Sequence, residues 1–320
     1  MHTSDVPWVG IDISKSTLDV AIGSRGTIHQ FPNNQAGFHG LHRLVLETDH
    51  GGIVCESTGI YHRGLVEFLG ERDCPLSLVQ PLFVHRFRQS GLALAKTDPL
   101  DARLLARFGE DRHPRITTPK SASLRLLTDL LAAHRDHVLI IGQTRNRLRD
   151  PYQSAPVRED REQIIAFHRQ RNAAIDAEIA QVIARDPVLR ERAARLQSVP
   201  AIGLLTSATL LADIPELGTL NRKEVAALAG LAPYNRESGQ SRGRSYIRGG
   251  RAETRSCLVF TVWSNRAASV VKAHRQQMKT AGKHTSVANV ATARWFVVVF
   301  NAMMRDELTW EEMDIVKAVI

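Results

Sequence analysis

Residues 8–23 read W-V-G-I-D-I-S-K-S-T-L-D-V-A-I-G, and the chain is organised around them. Val9, Ile11 and Ile13 alternate with other residues, as do Leu18, Val20 and Ile22; period two is the strand period. Ser14, Lys15, Ser16 and Thr17 form a polar end, so the stretch reads as a strand hairpin. Asp12 lies inside the first apolar run. A carboxylate there is costly unless it binds something, and a hard cation is the first candidate. The other reading, an Asp that only caps a turn, stays open here.

Working outward, Thr27 to Phe31 reads as a third strand, broken by Asn33 and Asn34. Phe38, Leu41, Leu44 and Val45 then recur at helical spacing up to about Glu47. After Gly51 and Gly52, Ile53, Val54 and Cys55 lead directly to Glu56, a second carboxylate on an apolar strand. Tyr61 to Leu69 reads as a helix. Leu76, Leu78 and Val79 make another strand, closed by Pro81. A meander followed by alternating helices and strands predicts a mixed sheet with helices on its faces. This is the ribonuclease H-like (RuvC-like) α/β order, in which the first and fourth strands are neighbours and bring Asp12 beside Glu56. A further acidic element, K-T-D-P-L-D-A-R-L-L-A-R-F, spans residues 96–108. Asp98 before Pro99 is a good N-cap, and Asp101 lies on the same face in the first turn. The two carboxylates serve as caps only, or they join Asp12 and Glu56 around Mg²⁺ or Mn²⁺ for phosphoryl transfer.

Length and charge bound the rest. The chain has 320 residues, a formal charge of +9 and a pI of about 9.9, so two or three domains are expected. Residues 1–118 hold 12 basic and 13 acidic residues, whereas 119–320 hold 30 and 20. A near-neutral first part and a basic remainder predict nucleic acid held mostly by the second. Cys55, Cys74 and Cys257 are odd in number and widely spaced, which indicates neither a disulfide framework nor a zinc site and suits a reducing cytoplasm. The apolar run Trp295 to Phe300 is too short to span a membrane.

In the middle segment, Leu124, Leu127, Leu131, His134, Val138, Ile141, Arg145 and Leu148 step by three and four up to Pro151. A second helix from about Glu159 to Ala184 carries Ile165, Ile175, Ile179 and Val182 and stops at Pro187. Two long helices with narrow seams predict a coiled-coil hairpin or dimerisation arm. Beyond it, V-P-A-I-G at 199–203 feeds an apolar helix. This is a helix-hairpin-helix-like turn in which Gly203 opens a helix start to a phosphate. Residues 229–251 then read A-G-L-A-P-Y-N-R-E-S-G-Q-S-R-G-R-S-Y-I-R-G-G-R. Arg236, Arg242, Arg244, Arg248 and Arg251 among glycines and serines suit phosphate binding. A serine in such a nest can attack a phosphodiester; a basic loop that only grips nucleic acid is the alternative.

The ordered motifs G-I-D-I-S-K, C-E-S-T-G, K-T-D-P-L-D-A-R-L-L-A, V-P-A-I-G and G-L-A-P-Y-N-R-E-S-G cover nearly the whole chain. In this the chain resembles the DEDD transposases of insertion sequences, the bridge-RNA-guided recombinases. The resemblance implies a RuvC-like DEDD domain over 1–118, a coiled-coil arm over 119–195 and a mainly helical transposase domain over 196–320. It places the four metal-binding carboxylates at Asp12, Glu56, Asp98 and Asp101, and the nucleophile at Ser238, before Gly239. It further implies donor and target DNA, a structured guide (bridge) RNA, a homodimer or homotetramer without a membrane, and a bacterial, cytoplasmic, nucleoid-associated setting. The family's usual run after this motif has a lysine and an asparagine where this chain has Arg248 and Arg251, so Ser241 stays a second candidate nucleophile. Three rivals stand beside this reading: a RuvC-like metal-dependent junction or flap nuclease using water, a non-catalytic nucleic-acid binder, and an actin-like sugar kinase. The kinase lacks a second Asp-Gly-Gly and an adenosine loop in this chain.

Overall fold

The computed structural model describes residues 6–57, 59–90, 98–234, 237–238, 241–242, 246–264 and 269–313. The chain divides into two compact units, Met1–Pro119 and Lys120–Ile320.

The first unit is a five-stranded mixed sheet with helices on both faces. β1 (Val9–Ile13), β2 (Thr17–Ile22) and β3 (Ile28–Pro32) form an antiparallel meander. They are followed by α1 (Gln35–Leu46), β4 (Ile53–Glu56), α2 (Arg63–Gly70), β5 (Leu76–Val79), α3 (Pro81–Ser90) and α4 (Asp98–Arg112). The strand order is β3-β2-β1-β4-β5, with β1–β4 and β4–β5 parallel. Helix α3 is not expected from the sequence: Pro81, taken as the end of a strand, is the first residue of a helix, a position proline favours.

Side-chain alternation sorts the sheet into two faces. Val9, Ile11 and Ile13 point with Leu18, Val20, Ile53 and Cys55 into a core closed by Phe38 and Leu41 of α1 and Leu65 and Leu69 of α2. Trp8, Gly10 and Asp12 belong to the opposite face, where Trp8 and Val54 meet Leu105 and Phe108 of α4. Trp8 is wedged between Gly52 and Gly109: a Cβ on either would approach the indole to 2.6–2.7 Å. At Gly10 a Cβ would lie 2.1 Å from the Ala102 oxygen and 2.3 Å from the Ala106 nitrogen. Helix α4 therefore rests directly on the backbone of β1. Its far end is pinned by Glu110 Oε1, which accepts from Ser24 N at 3.1 Å, and its middle by Arg103 Nη2, which donates to Gly26 O at 3.1 Å.

The second unit is helical: α5 (Ala122–Arg147), α6 (Ala155–Arg185), α7 (Pro187–Gln197), α8 (Leu204–Asp213), α9 (Arg222–Leu228), α10 (Ala252–Trp263), α11 (Ser269–Thr280) and α12 (Thr285–Asp306). Between α9 and α10 lie four two-residue strands: β6 (Pro233–Tyr234), β7 (Glu237–Ser238), β8 (Ser241–Arg242) and β9 (Tyr246–Ile247). β6 pairs with β9 and β7 with β8. Local signals start the helices: Ser121 caps α5 at Leu124 N, Asp186 caps α7 at Leu189 N, and Asn221 and Glu224 form a capping box on α9. Pro187 ends one helix and begins α7, an element the sequence reading lacked.

Helices α5 and α6 pack as an antiparallel pair. Leu127 and Leu131 of one and Ile175, Ile179 and Ile183 of the other share a core with Phe296, Phe300 and Met303 of α12. The apolar run 295–300, expected to be too short for a membrane, sits inside this 22-residue helix, which is long and apolar enough to cross one. Ala293, Phe296, Val297, Val299, Phe300 and Met303 are nevertheless buried within the unit, so α12 serves as its core helix.

Two glycine substitutions should change stability in opposite directions. Gly10→Ala should lower it by about 1–3 kcal/mol because α4 must be pushed off the sheet. Gly142→Ala, at an exposed site in α5 where a Cβ meets nothing within 4 Å, should raise it by roughly 0.5–1 kcal/mol. Urea unfolding of the two variants checks both signs.

Candidate active site and nucleic-acid interface

The three acidic residues of the strands, Asp12, Asp19 and Glu56, lie on one face of the sheet. β1 and β4 run in register with Val9 opposite Ile53, Gly10 opposite Val54 and Ile11 opposite Cys55. The next step along both strands sets Asp12 beside Glu56. On the other side of β1, Asp12 stands directly opposite Asp19 of β2. Asp19, only 6% exposed, accepts a hydrogen bond from Gln30 Nε2 at 3.0 Å. A polar row thus crosses four strands: Gln30, Asp19, Asp12, Glu56. Asp19 is the residue sequence reasoning missed. Its signal was the one that flagged Asp12, a carboxylate inside an apolar alternation, obscured because L-D-V-A-I reads as an ordinary strand.

Helix α4 lies on the same face and runs antiparallel to β1, with Gly109 over Trp8 and Ala102 and Ala106 over Gly10. One turn further back, its first residues reach the level of Asp12. The helix begins at Asp98. Asp101 is held by Arg88 of α3, whose Nη2 donates to Asp101 Oδ1 at 2.6 Å in a mostly buried pair. Asp12, Glu56 and the start of α4 therefore converge on one edge of one face.

The donor set is all oxygen, the chemistry that hard divalent cations select. Two carboxylates directly opposite on neighbouring strands repel unless a cation or proton lies near. Among the described residues, no three of the carboxylate, His and Cys side chains are close enough to hold a metal ion by themselves. Asp12 and Glu56 supply a pair on the sheet, and the remaining donors would come from the first turn of α4.

In the second unit, the two serine candidates are cross-strand partners: Ser238 of β7 pairs with Ser241 of β8. Arg242 is in β8, while Arg236, Gly239 and Arg244 lie outside the described residues. Arg248 is exposed. Arg251 precedes α10, and Nη1 and Nη2 donate to Glu216 Oε2 and Oε1 at 2.8 and 2.9 Å, an end-on bidentate pair. Gly203 stands at the start of α8 with no side-chain cap and open space where a Cβ would be. The preceding turn holds Ala201 at φ +77°, a conformation that suits glycine and strains alanine.

The Glu216–Arg251 brace has a pH signature. Burial pushes the Glu216 carboxyl up, but the Arg251 hydrogen bond and charge outweigh it and hold the group below its ordinary value of 4.5. A depressed carboxyl contributes stability above its unfolded value and loses it as pH falls through the folded one. Glu216→Gln should therefore lower the urea midpoint at neutral pH, and the gap to the natural protein should close on acidification below 4.5. A gap independent of pH would contradict the brace.

Residues 9–153, from β1 through nearly all of the α5–α6 connection, match the DEDD transposase family. Residues 193–280 match the Transposase IS116/IS110/IS902 family. The pilin gene-inverting proteins of Moraxella bovis and Moraxella lacunata are each 30% identical over 320 residues, covering 95% of this chain and 98% of theirs. Both matched segments contain the residues singled out above, in chain order. The chain belongs to the DEDD-type insertion-sequence transposases and is a DNA recombinase of that family.

Proposed function

We propose that this recombinase exchanges DNA strands through a phosphoserine link formed by Ser238, with the carboxylate edge of a RuvC-like, ribonuclease H-like domain positioning the scissile strand. The observation that carries the reading is the adjacency of Asp12 and Glu56 on one face of β1 and β4, beneath the first turn of α4. Asp12, Glu56, Asp98 and Asp101 would hold Mg²⁺ or Mn²⁺, which supplies charge stabilisation at phosphate oxygens when bound.

The chain's own groups then do the following. Ser238 Oγ attacks the phosphorus, its proton leaves to solvent or a neighbouring carboxylate, and the displaced strand departs with a free hydroxyl. That hydroxyl, or one from a second strand, later attacks the phosphoserine and restores Ser238. One ester replaces another at each step, so no nucleotide cofactor is consumed. Arg236, Arg242, Arg244 and Arg248 would neutralise charge that develops on the phosphate. Arg251, already paired with Glu216, would act by holding the start of α10. Ser241 is the second candidate nucleophile, since it faces Ser238 across the hairpin. The Gly203 helix start would take a backbone phosphate.

The division into a catalytic domain over 1–118, a coiled-coil arm over 119–195 and a transposase domain over 196–320 belongs to the same proposal. So do a homodimer or homotetramer joined by the arm, a structured guide RNA that selects donor and target DNA, and a cytoplasmic, nucleoid-associated setting. A protein named for inverting a gene must cut and rejoin; the same conserved-bond outcome is inferred for this chain.

The test is a denaturing gel of the protein with end-labelled DNA, Mg²⁺ and its guide RNA. Wild type should give a covalent protein–DNA band. Ser238→Ala should abolish it, and Asp12→Ala should reduce it on the order of 10²-fold or more, with RNA binding kept. An adduct lost only in Ser241→Ala would move the nucleophile across the hairpin. Free cleaved ends with no adduct in any variant would mean hydrolysis by water.

A further inference from the structure

Helix α10 has two apolar faces, and only one of them is used by the core. Leu258 and Val262 are buried inward with Thr254 and Thr261. Ser256, Val259, Phe260 and Trp263, spaced i, i+3, i+4 and i+7, form a second stripe. Phe260 and Trp263 are 67% and 63% exposed, their rings edge to face with centroids 6.4 Å apart. The stripe floors a cavity of about 410 Å³.

The walls of that cavity are polar in a specific way. Asn289 of α12 lines it, and its Oδ1 is buried with no hydrogen-bond partner, an arrangement that costs energy until something supplies the missing bond. Arg255 lines it too, fixed by donation from Nη1 to Gly249 O at 2.7 Å. Ile247 of β9 forms a further wall. Exposed Arg248 follows it directly in the chain, and exposed Tyr246 precedes it. The groove thus borders β9, the last of the short strands before α10.

We propose that this groove holds one unpaired nucleobase of a single DNA strand. The base would lie against Phe260 and Trp263, its edge would meet the Asn289 amide, and its phosphate would face the arginine rim. Aromatic platforms beside cationic side chains are the general means of gripping unpaired bases, and an amide presents both donor and acceptor to a base edge. An apolar side chain from a protein partner would fill the floor but leave Asn289 unpaired and bring no anion to the arginines. A base stacked in a duplex cannot reach the floor, so the occupant is extruded or single-stranded. The site is independent of the nucleophile and of the carboxylates, and is therefore testable without metal or cleavage.

Of the four tryptophans, Trp263 is the exposed one. In EDTA, a short single-stranded DNA should quench tryptophan fluorescence of the full chain, and the quench should be absent in Trp263→Leu. Trp263→Leu and Phe260→Ala should each weaken binding roughly 5- to 150-fold, while Trp263→Tyr restores most of it, which separates stacking from misfolding. Matched duplex DNA should compete weakly. The assignment falls if the leucine and alanine variants bind the single strand as wild type does, if duplex competes equally, or if only RNA of the same sequence binds. It falls equally if the variants lose self-association at constant DNA affinity, since the occupant is then a second copy of the chain.

Discussion

The contact on which the first unit depends is the backbone of β1 against the backbone of α4 at Gly10. With no side chain there, Ala102 and Ala106 settle onto the strand, and the helix axis comes closer to the sheet than a larger residue would allow. The helix is then fixed along its length, by Trp8 against Gly109 at one level and by Arg103 and Glu110 at the neighbouring turns. Position follows from this. A helix seated over Gly10 and running antiparallel to β1 must deliver its first turn to the level of Asp12. The catalytic proposal needs a strand and a helix start to lie near one another, and the bare backbone at Gly10 lets α4 seat that closely on β1.

That convergence has an electrostatic cost. Asp19, Asp12 and Glu56 stand in one row on adjacent strands, and like charges at that spacing repel. Part of the cost is offset locally: Gln30 donates to Asp19, and Arg88 neutralises Asp101 in a largely buried pair. The N-terminal dipole of α4 also favours negative charge in its first turn. Asp12, Asp19 and Glu56 are placed by the strand pairing of β1, β2 and β4, and Asp101 by Arg88. Packing, not mutual attraction, holds the acidic residues together.

Much of this was legible in the sequence, and the failures have physical causes. The meander, β4, β5 and the neighbour relation of Asp12 and Glu56 follow from alternation and from the order of elements, because a parallel β1–β4 pair is what a crossover after a hairpin produces. Helices α3 and α7 were missed because each begins at a proline, and a proline after an apolar run reads equally as a stop and as a first helical residue. Asp19 was missed because a strand with one acidic position on its less apolar face looks ordinary; only the partner opposite makes it notable. The α10 stripe was invisible for a related reason. A helix apolar on both sides reads simply as a core helix, and exposure belongs to the fold, not to the pattern.

Arginines show where composition stops being informative. Arg248 and Arg251 are three residues apart in one glycine-rich segment, and residue type alone assigns both to phosphate. In the fold they differ. Arg251 closes a two-bond fork on Glu216 and its own N–H donates to Leu228 O at 2.8 Å, so it ties the entry of α10 to the connection before α9 and to the end of α9. Arg248 stays exposed, directly after Ile247, which lines the α10 groove. Fixing Arg251 at the entry of α10 gives the helix that carries Phe260 and Trp263 a rigid base. The basic character of the second half of the chain thus divides into arginines that build the surface and arginines that present it.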